Sequence, residues 1–209
     1  MQKSILIPFV SARNLATKAN ELLSKHHPSE DLPVPIEEIV ELRLGIRVIP
    51  LKGLKDYLGV DSYLSLSANS NSIAIDEYCY ENFEERTRFT YAHELGHLVL
   101  HKEIYESQNI RDLADFKNFQ NALSADNIKR LELQAHIFAG YVLMPQNRFG
   151  LCVDKMVRGV GGMGSISIKD AETILRSLVD KFAVSPEAAL RQLKYERSEL
   201  VKELLKSSV

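Results

Sequence analysis

The stretch Arg88-Phe89-Thr90-Tyr91-Ala92-His93-Glu94-Leu95-Gly96-His97-Leu98-Val99-Leu100-His101 constrains the fold more than any other part of the chain. It contains few helix breakers and is apolar on nearly all sides, through Phe89, Ala92, Leu95, Leu98, Val99 and Leu100. A helix that is hydrophobic all round is buried. Yet this one carries two histidines and a glutamate in the pattern H-E-x-x-H, and burying such groups is costly unless something pairs them. A metal ion satisfies all three. On a helix His93 and His97 leave the same face and can grip one Zn²⁺, while Glu94 is adjacent in angle and placed to act as a general base in hydrolysis. Gly96 costs the helix about 1 kcal/mol relative to alanine. That cost makes sense if another backbone or side chain must come close there.

A hydrolytic zinc site normally has three protein ligands. The metzincin extension would need a glycine and a histidine where this chain has Leu100 and Glu103. His101 points roughly the same way as His97 but stands roughly 6 Å further along the axis, at a rise of 1.5 Å per residue. It is therefore expected to reach an acidic group behind the ion rather than the ion itself. The third ligand belongs on a second strongly apolar helix, about 126–144, which Ser124 or Asp126 can cap and Met144-Pro145 stops. Within it Glu132 and His136 share a face. Glu132 is the preferred ligand. His136 is the alternative, or a group that orients Glu132 or stabilises the transition state, a role for which Tyr141 and Tyr91 are further candidates.

The remaining pattern supplies the surroundings. Residues 11–25 read as a helix with an apolar stripe through Leu15, Ala16, Ala19, Leu22 and Leu23, and His26-His27-Pro28 as a surface loop without function. Pro33-Val34-Pro35 leads into a helix over 36–42. A strand over 46–49, a short helical piece over 51–58 and alternating strands over 63–67 and 72–76 follow, the last two joined by a turn at Ala68-Asn69-Ser70-Asn71. These strands predict a small antiparallel sheet, one edge of which is a candidate rail for an extended peptide. The charged run from Glu81 to Arg88 reads mainly as solvated helix face, and 102–123 as a long loop with short helices bordering the site. The glycines of 159–164 form a connector, since no phosphate-loop lysine follows. Helices over 170–182 and from 186 to about 206 come last, with Ser185 capping the second and Pro186 at its first position. The expected organisation is a body over 1–158 and a C-terminal helical subdomain over 165–209 packed on it.

Composition excludes other classes. With 45% hydrophobic residues, 26% charged residues and a net charge of -2, the chain is an ordinary soluble globular protein with no electrostatic case for nucleic acid. The helix, corner and helix at the C-terminus resemble half of a helix-turn-helix, but the charge weighs against DNA and favours a packing or docking role. Cys79 and Cys152 are far apart and form no pair, which suits a reducing cytoplasm. The opening Met1 to Val10 has one charge, an apolar run broken by Pro8 and no cleavage pattern, so no secretory leader is expected. No apolar run approaches the roughly 20 residues of a membrane span.

The two blocks together carry a family resemblance. Arg88-Phe89-Thr90-Tyr91-Ala92-His93-Glu94-Leu95-Gly96-His97, followed by Glu132-Leu133-Gln134-Ala135-His136-Ile137-Phe138-Ala139-Gly140-Tyr141-Val142-Leu143-Met144-Pro145, resembles the ImmA/IrrE metallopeptidases. Their usual form is R-F-T-x-A-H-E-x-G-H and then E-x-x-A-N-x-F-A-x-x-L-L-M-P; His136 replaces the usual Asn and Val142 a usual Leu. The resemblance implies an α+β, mostly helical, zincin-like fold with a small three-stranded sheet and a C-terminal helical pair. It also implies a cytoplasmic zinc endopeptidase with His93, His97 and Glu132 as ligands and Glu94 as base. The implied substrate is a helix-turn-helix repressor of a phage, mobile element or stress operon. A non-proteolytic toxin–antitoxin or regulatory partner that binds a repressor is the competing class, and a direct DNA-binding regulator the weaker one.

Overall fold

The computed structural model describes residues 5–66, 71–162, 164, 166–196 and 200–201. The Ser11 hydroxyl accepts a hydrogen bond from the Asn14 N–H and starts α1 (Ala12–His26), which buries the stripe Leu15, Ala16, Ala19 and Leu23. His27, expected in a surface loop, is buried instead, and its Nε2–H donates to the Asp31 carbonyl at 2.9 Å. α2 (Ile36–Glu38) runs on into a π-helical turn, Ile39–Arg43, which ends at Gly45 with φ 64°. β1 (Arg47–Leu51), α3 (Leu54–Leu58), β2 (Ser62–Leu66) and β3 (Asn71–Asp76) follow.

The sheet order is β1-β3-β2. The β2–β3 hairpin is antiparallel as expected, pairing Ser62 with Ile75 and Leu66 with Asn71. β1, however, runs parallel to β3, with Arg47 opposite Ser72 and Leu51 opposite Asp76, so the sheet is mixed rather than wholly antiparallel. Alternating hydrophobicity identifies strands but not their neighbours. Here α3 carries the chain away from β1, and β3 returns into the space between the two earlier strands. The expected turn over Ala68-Asn69-Ser70-Asn71 lies outside the described residues except for Asn71, which opens β3.

Asp76 ends the sheet and begins the helices. Its carboxylate accepts the Cys79 N–H at 3.2 Å, capping α4 (Glu77–Asn82), and the Lys55 N–H at 3.0 Å. α5 (Glu84–Gln108) is the long central helix, terminated by Asn109 in the left-handed region at φ 52°. α6 (Leu113–Ala122), capped by Asp112, comes next. Residues 102–123 are thus mostly helical: the helices expected there are present, as the end of α5 and as α6, and the expected long loop is reduced to the short link between them. The buried positions His97, His101 and Tyr105 recur one turn apart, which keeps one face of α5 in the core well past the motif.

α7 (Ala125–Leu143), capped by Ser124, packs directly on α5. A Cβ placed on Gly96 would lie 2.9 Å from Ala135 Cα and 3.0 Å from its carbonyl oxygen, so only glycine allows this approach. The N-terminal segment lies along the other side of α7. The Ile7 N–H donates to Asn127 Oδ1 at 3.2 Å, Asn127 Nδ2 to the Ile5 carbonyl at 2.8 Å, Arg130 to the Ile7 carbonyl at 2.9 Å and Gln134 Nε2 to the Pro8 carbonyl at 2.7 Å.

α8 (Gln146–Gly159) leads through Gly161 and Gly162, both at positive φ, to α9 (Ile168–Phe182) and α10 (Pro186–Glu196). Ser167 and Asp170 form a capping box on α9, and Ser185 caps α10. Residues 200–201 are also helical, and the remainder of the expected 186–206 helix lies outside the described residues. Arg88, placed by its sequence neighbours on a solvated face, is only 5% exposed. Its guanidinium donates to the Ala183 carbonyl at 3.1 Å, the Val34 carbonyl at 2.8 Å and Glu37 at 3.1 Å. It ties α5 to α2 and to the corner between the last two helices, while Arg86 takes the surface position and pairs with Asp61.

Candidate metal centre and peptide cleft

The Gly96–Ala135 contact sets α7 one side chain away from the H-E-x-x-H face. His93 and His97 meet with Nε2 atoms 3.0 Å apart, and across them stands Glu132, its Oε2 at 3.1 Å from His93 Nε2 and its Oε1 at 3.7 Å from His97 Nε2. A tetrahedral zinc ion held at about 2.0–2.1 Å sets its ligand atoms roughly 3.3 Å apart, and these three separations straddle that value. His97 is buried, while Glu132 stays 47% exposed at the mouth of the cleft. His136, one turn further along α7, packs its ring against Phe89 at 4.6 Å and sits 6.3 Å from the His93 ring. Glu132, and not His136, is therefore the α7 group that meets both imidazoles.

Glu94 has a different setting. It is 2% exposed, and the Ser62 hydroxyl at the start of β2 donates a hydrogen bond to its Oε1. Its Oε2 is buried without a hydrogen-bond partner among the described residues. Burial pushes the carboxyl up to about 7, against the opposing pull of His93 and the Ser62 hydroxyl. Burial also lowers His97 well below the ordinary histidine value, helped by His93 and His101. At His93 burial lowers the pKa too, but the bond to Glu132 and the charges of Glu94 and Glu132 outweigh it, and the net shift is upward. Two imidazoles and two carboxylates, one of them with an orphaned buried oxygen, fit a bound cation, which supplies compensating positive charge. The ligand atoms of His93, Glu94 and His97 all lie within 4.8 Å of one another.

Behind the imidazoles a chain of hydrogen bonds leads out of the site. His97 Nδ1 is 3.2 Å from His101 Nδ1, and His101 Nε2 is 3.0 Å from Gln134 Oε1. The acidic partner expected for His101 is replaced by a second imidazole and an amide. Burial lowers the His101 pKa, while the bond to Gln134 opposes this.

The cleft in front of the cluster has a volume of about 320 Å³. The residues from Gly59 to Tyr63 form one wall, and Phe89, Tyr105, Phe116 and His136 line it elsewhere. Tyr63 stacks on Phe116 at 4.9 Å, bringing α6 over the cleft. Of the three residues considered for stabilising a transition state, His136 lines this space. Tyr91 and Tyr141 are 1% and 5% exposed and are not among the described residues that do. Burial, with Arg191 and His93 adding to it, lowers His136 to about 4, so it is neutral at physiological pH.

Sequence reasoning missed Ser62, Gln134 and Tyr105. Tyr105 follows His101 by one turn and would have been found by extending the helix. Gln134 is a polar residue in an apolar run, which is a usable signal. Nothing local marks Ser62, because only the sheet brings it to Glu94.

A buried H-E-x-x-H helix with a carboxylate facing its histidines, opening on a cleft walled by a sheet edge, has the make-up of a metallopeptidase metal site. The chain belongs to the peptidase family described as the IrrE N-terminal-like domain, whose family model matches residues 41–194. A comparison with curated proteins finds no match. Among solved structures, a Mycobacterium tuberculosis transcriptional regulator is similar at 16% identity with a TM-score of 0.52. The match covers 87% of this chain and 46% of that one, so the chain spans less than half the length of that regulator. At this identity the likeness is one of fold.

Proposed function

We propose that this protein is a zinc-dependent endopeptidase that cleaves a peptide bond in a regulatory protein, namely a helix-turn-helix repressor. The observation that carries the reading is the meeting of His93, His97 and Glu132 beside a buried glutamate with one oxygen held and one without a partner. His93, His97 and Glu132 hold the zinc, which when bound supplies Lewis acidity toward the scissile carbonyl and the attacking water. Glu94 takes the proton from that water and returns it to the leaving amine, a task suited by a pKa raised to about 7. Ser62 holds one carboxylate oxygen and so fixes which lone pairs face the water. His136, neutral and in the cleft, donates to the developing oxyanion.

The substrate lies extended along the wall from Gly59 to Tyr63, where β2 is an edge strand. The repressor as substrate is supported by the ImmA/IrrE family likeness and, more distantly, by the transcriptional regulator that shares the fold. A cytoplasmic setting is supported by free Cys79 and Cys152. Among the described residues no helix is long and apolar enough to cross a membrane. The test is to incubate the zinc-loaded protein with the repressor encoded beside it and compare wild type with Glu94→Gln. Cleavage by the wild type alone is expected. Equal loss of repressor function with both proteins, without cleavage, overturns the peptidase reading in favour of a binding partner.

A further inference from the structure

We propose that His101 and Gln134 are positioning residues, which fix His97 with its proton on Nδ1 and so leave the Nε2 lone pair for the metal. The direction of the relay follows from its outer end. The Pro8 carbonyl can only accept, so the Gln134 group 2.7 Å away is the amide N–H₂, and Gln134 Oε1 faces the other way. That oxygen must receive a donor from His101 Nε2 at 3.0 Å. With its proton on Nε2, His101 presents a bare Nδ1, which accepts at 3.2 Å from His97 Nδ1–H. His97 Nε2 is then bare and faces His93 and Glu132. The reverse arrangement would set two oxygens against each other at Pro8. A doubly protonated His101 would bury a charge at 2% exposure.

The relay joins three parts of the chain: α5 through His97 and His101, α7 through Gln134, and the N-terminal segment through Pro8. Its anchor is firm, because Asn127 and Arg130 hold the same segment against α7 through the Ile5 carbonyl and the Ile7 N–H and carbonyl. An imidazole ligand needs its second nitrogen bonded to set both ring orientation and tautomer. In this site that partner is an imidazole whose own tautomer is set by an amide, whose orientation is set in turn by a backbone carbonyl.

The inference rests on reading His97 as a ligand, and the experiment separates the two. Zinc affinity is measured by chelator competition for wild type, His97→Ala, His101→Leu and His101→Gln. The histidine tautomers are read by nitrogen-15 NMR in wild type with and without zinc. We expect His97 protonated on Nδ1 and His101 on Nε2 in both states. His101→Leu should bind zinc roughly 10- to 100-fold more weakly. His101→Gln, whose amide oxygen can accept from His97 Nδ1–H, should recover most of that loss. A proton on His101 Nδ1 overturns the relay whether or not the leucine variant folds. So does a leucine variant with wild-type affinity, or a glutamine variant as weak as the leucine one, which would indicate packing alone. Unchanged affinity in His97→Ala sinks the ligand reading itself, while the tautomers still decide the relay.

Discussion

Gly96→Ala tests whether the close approach of α5 and α7 sets both stability and the metal site. On an open helix this substitution stabilises by about 1 kcal/mol, because glycine loses the most backbone entropy. At position 96 the new methyl would meet Ala135 Cα at 2.9 Å, its carbonyl oxygen at 3.0 Å and its Cβ at 3.2 Å. Carbon contacts are optimal at about 3.5–4.0 Å, so α7 must retreat by roughly 0.5 Å or more. The two nearest atoms are backbone and cannot rotate aside. Overpacking of this kind typically costs 1–3 kcal/mol. The net expectation is a loss of about 1 kcal/mol where propensity alone gives a gain of about 1. These outcomes differ by about 2 kcal/mol, or roughly 30-fold in the unfolding equilibrium.

The same retreat carries Glu132 away from His93, from which it now stands 3.1 Å, so zinc affinity should fall together with stability. Urea unfolding and chelator competition read the two effects. Ala135→Gly in the same protein removes only the 3.2 Å contact and should not rescue either one. A Gly96→Ala protein that is more stable than wild type and binds zinc equally well would refute the reasoning.

Other expectations follow from single groups. Arg88→Met leaves the Val34 and Ala183 carbonyls without their buried donor, and should cost about 2–4 kcal/mol by urea unfolding; a loss below about 1 kcal/mol would mean water replaces the guanidinium. In the metal-free protein the Glu94 carboxyl rises from 4.5 to about 7, so the native state holds this proton more tightly than the unfolded chain. Its contribution is present below pH 4.5 and is lost as pH rises to about 7, amounting to about 3 kcal/mol at 1.36 kcal/mol per pH unit. Wild type should therefore lose stability relative to Glu94→Gln across that window, and parallel pH profiles for the two proteins would count against it. Metal analysis should find zinc depleted from Glu132→Ala and retained by His136→Ala; the opposite pattern would exchange the two roles.

The legible parts of the fold and site were those written in local spacing. His93 and His97 share a face because a helix turn separates them, and Gly96 signalled a close neighbour because glycine is costly inside a helix. Glu132 stands out, together with His136 on the same face, as a polar group in a strongly apolar helix. Arg88 was misread because a charged run looks solvated, while the two acceptors that draw it inward, Val34 and Ala183, are remote in sequence. The parallel pairing of β1 with β3 was equally illegible, since period-two alternation is the same in either direction.

What local spacing left undetermined has a common physical character. The identity of the reacting atoms follows from residues within one turn of each other, but their orientation depends on partners 32 residues away for Glu94 and Ser62, and 126 residues away for Gln134 and Pro8. A buried imidazole or carboxylate has several rotamers and protonation patterns of similar local energy. Only contacts from other elements distinguish them. β2 holds Glu94, the N-terminal segment holds Gln134 and through it His101, and α7 presents Glu132. The long helix thus supplies the chemistry, and the parts of the chain that look least remarkable in sequence give it a direction.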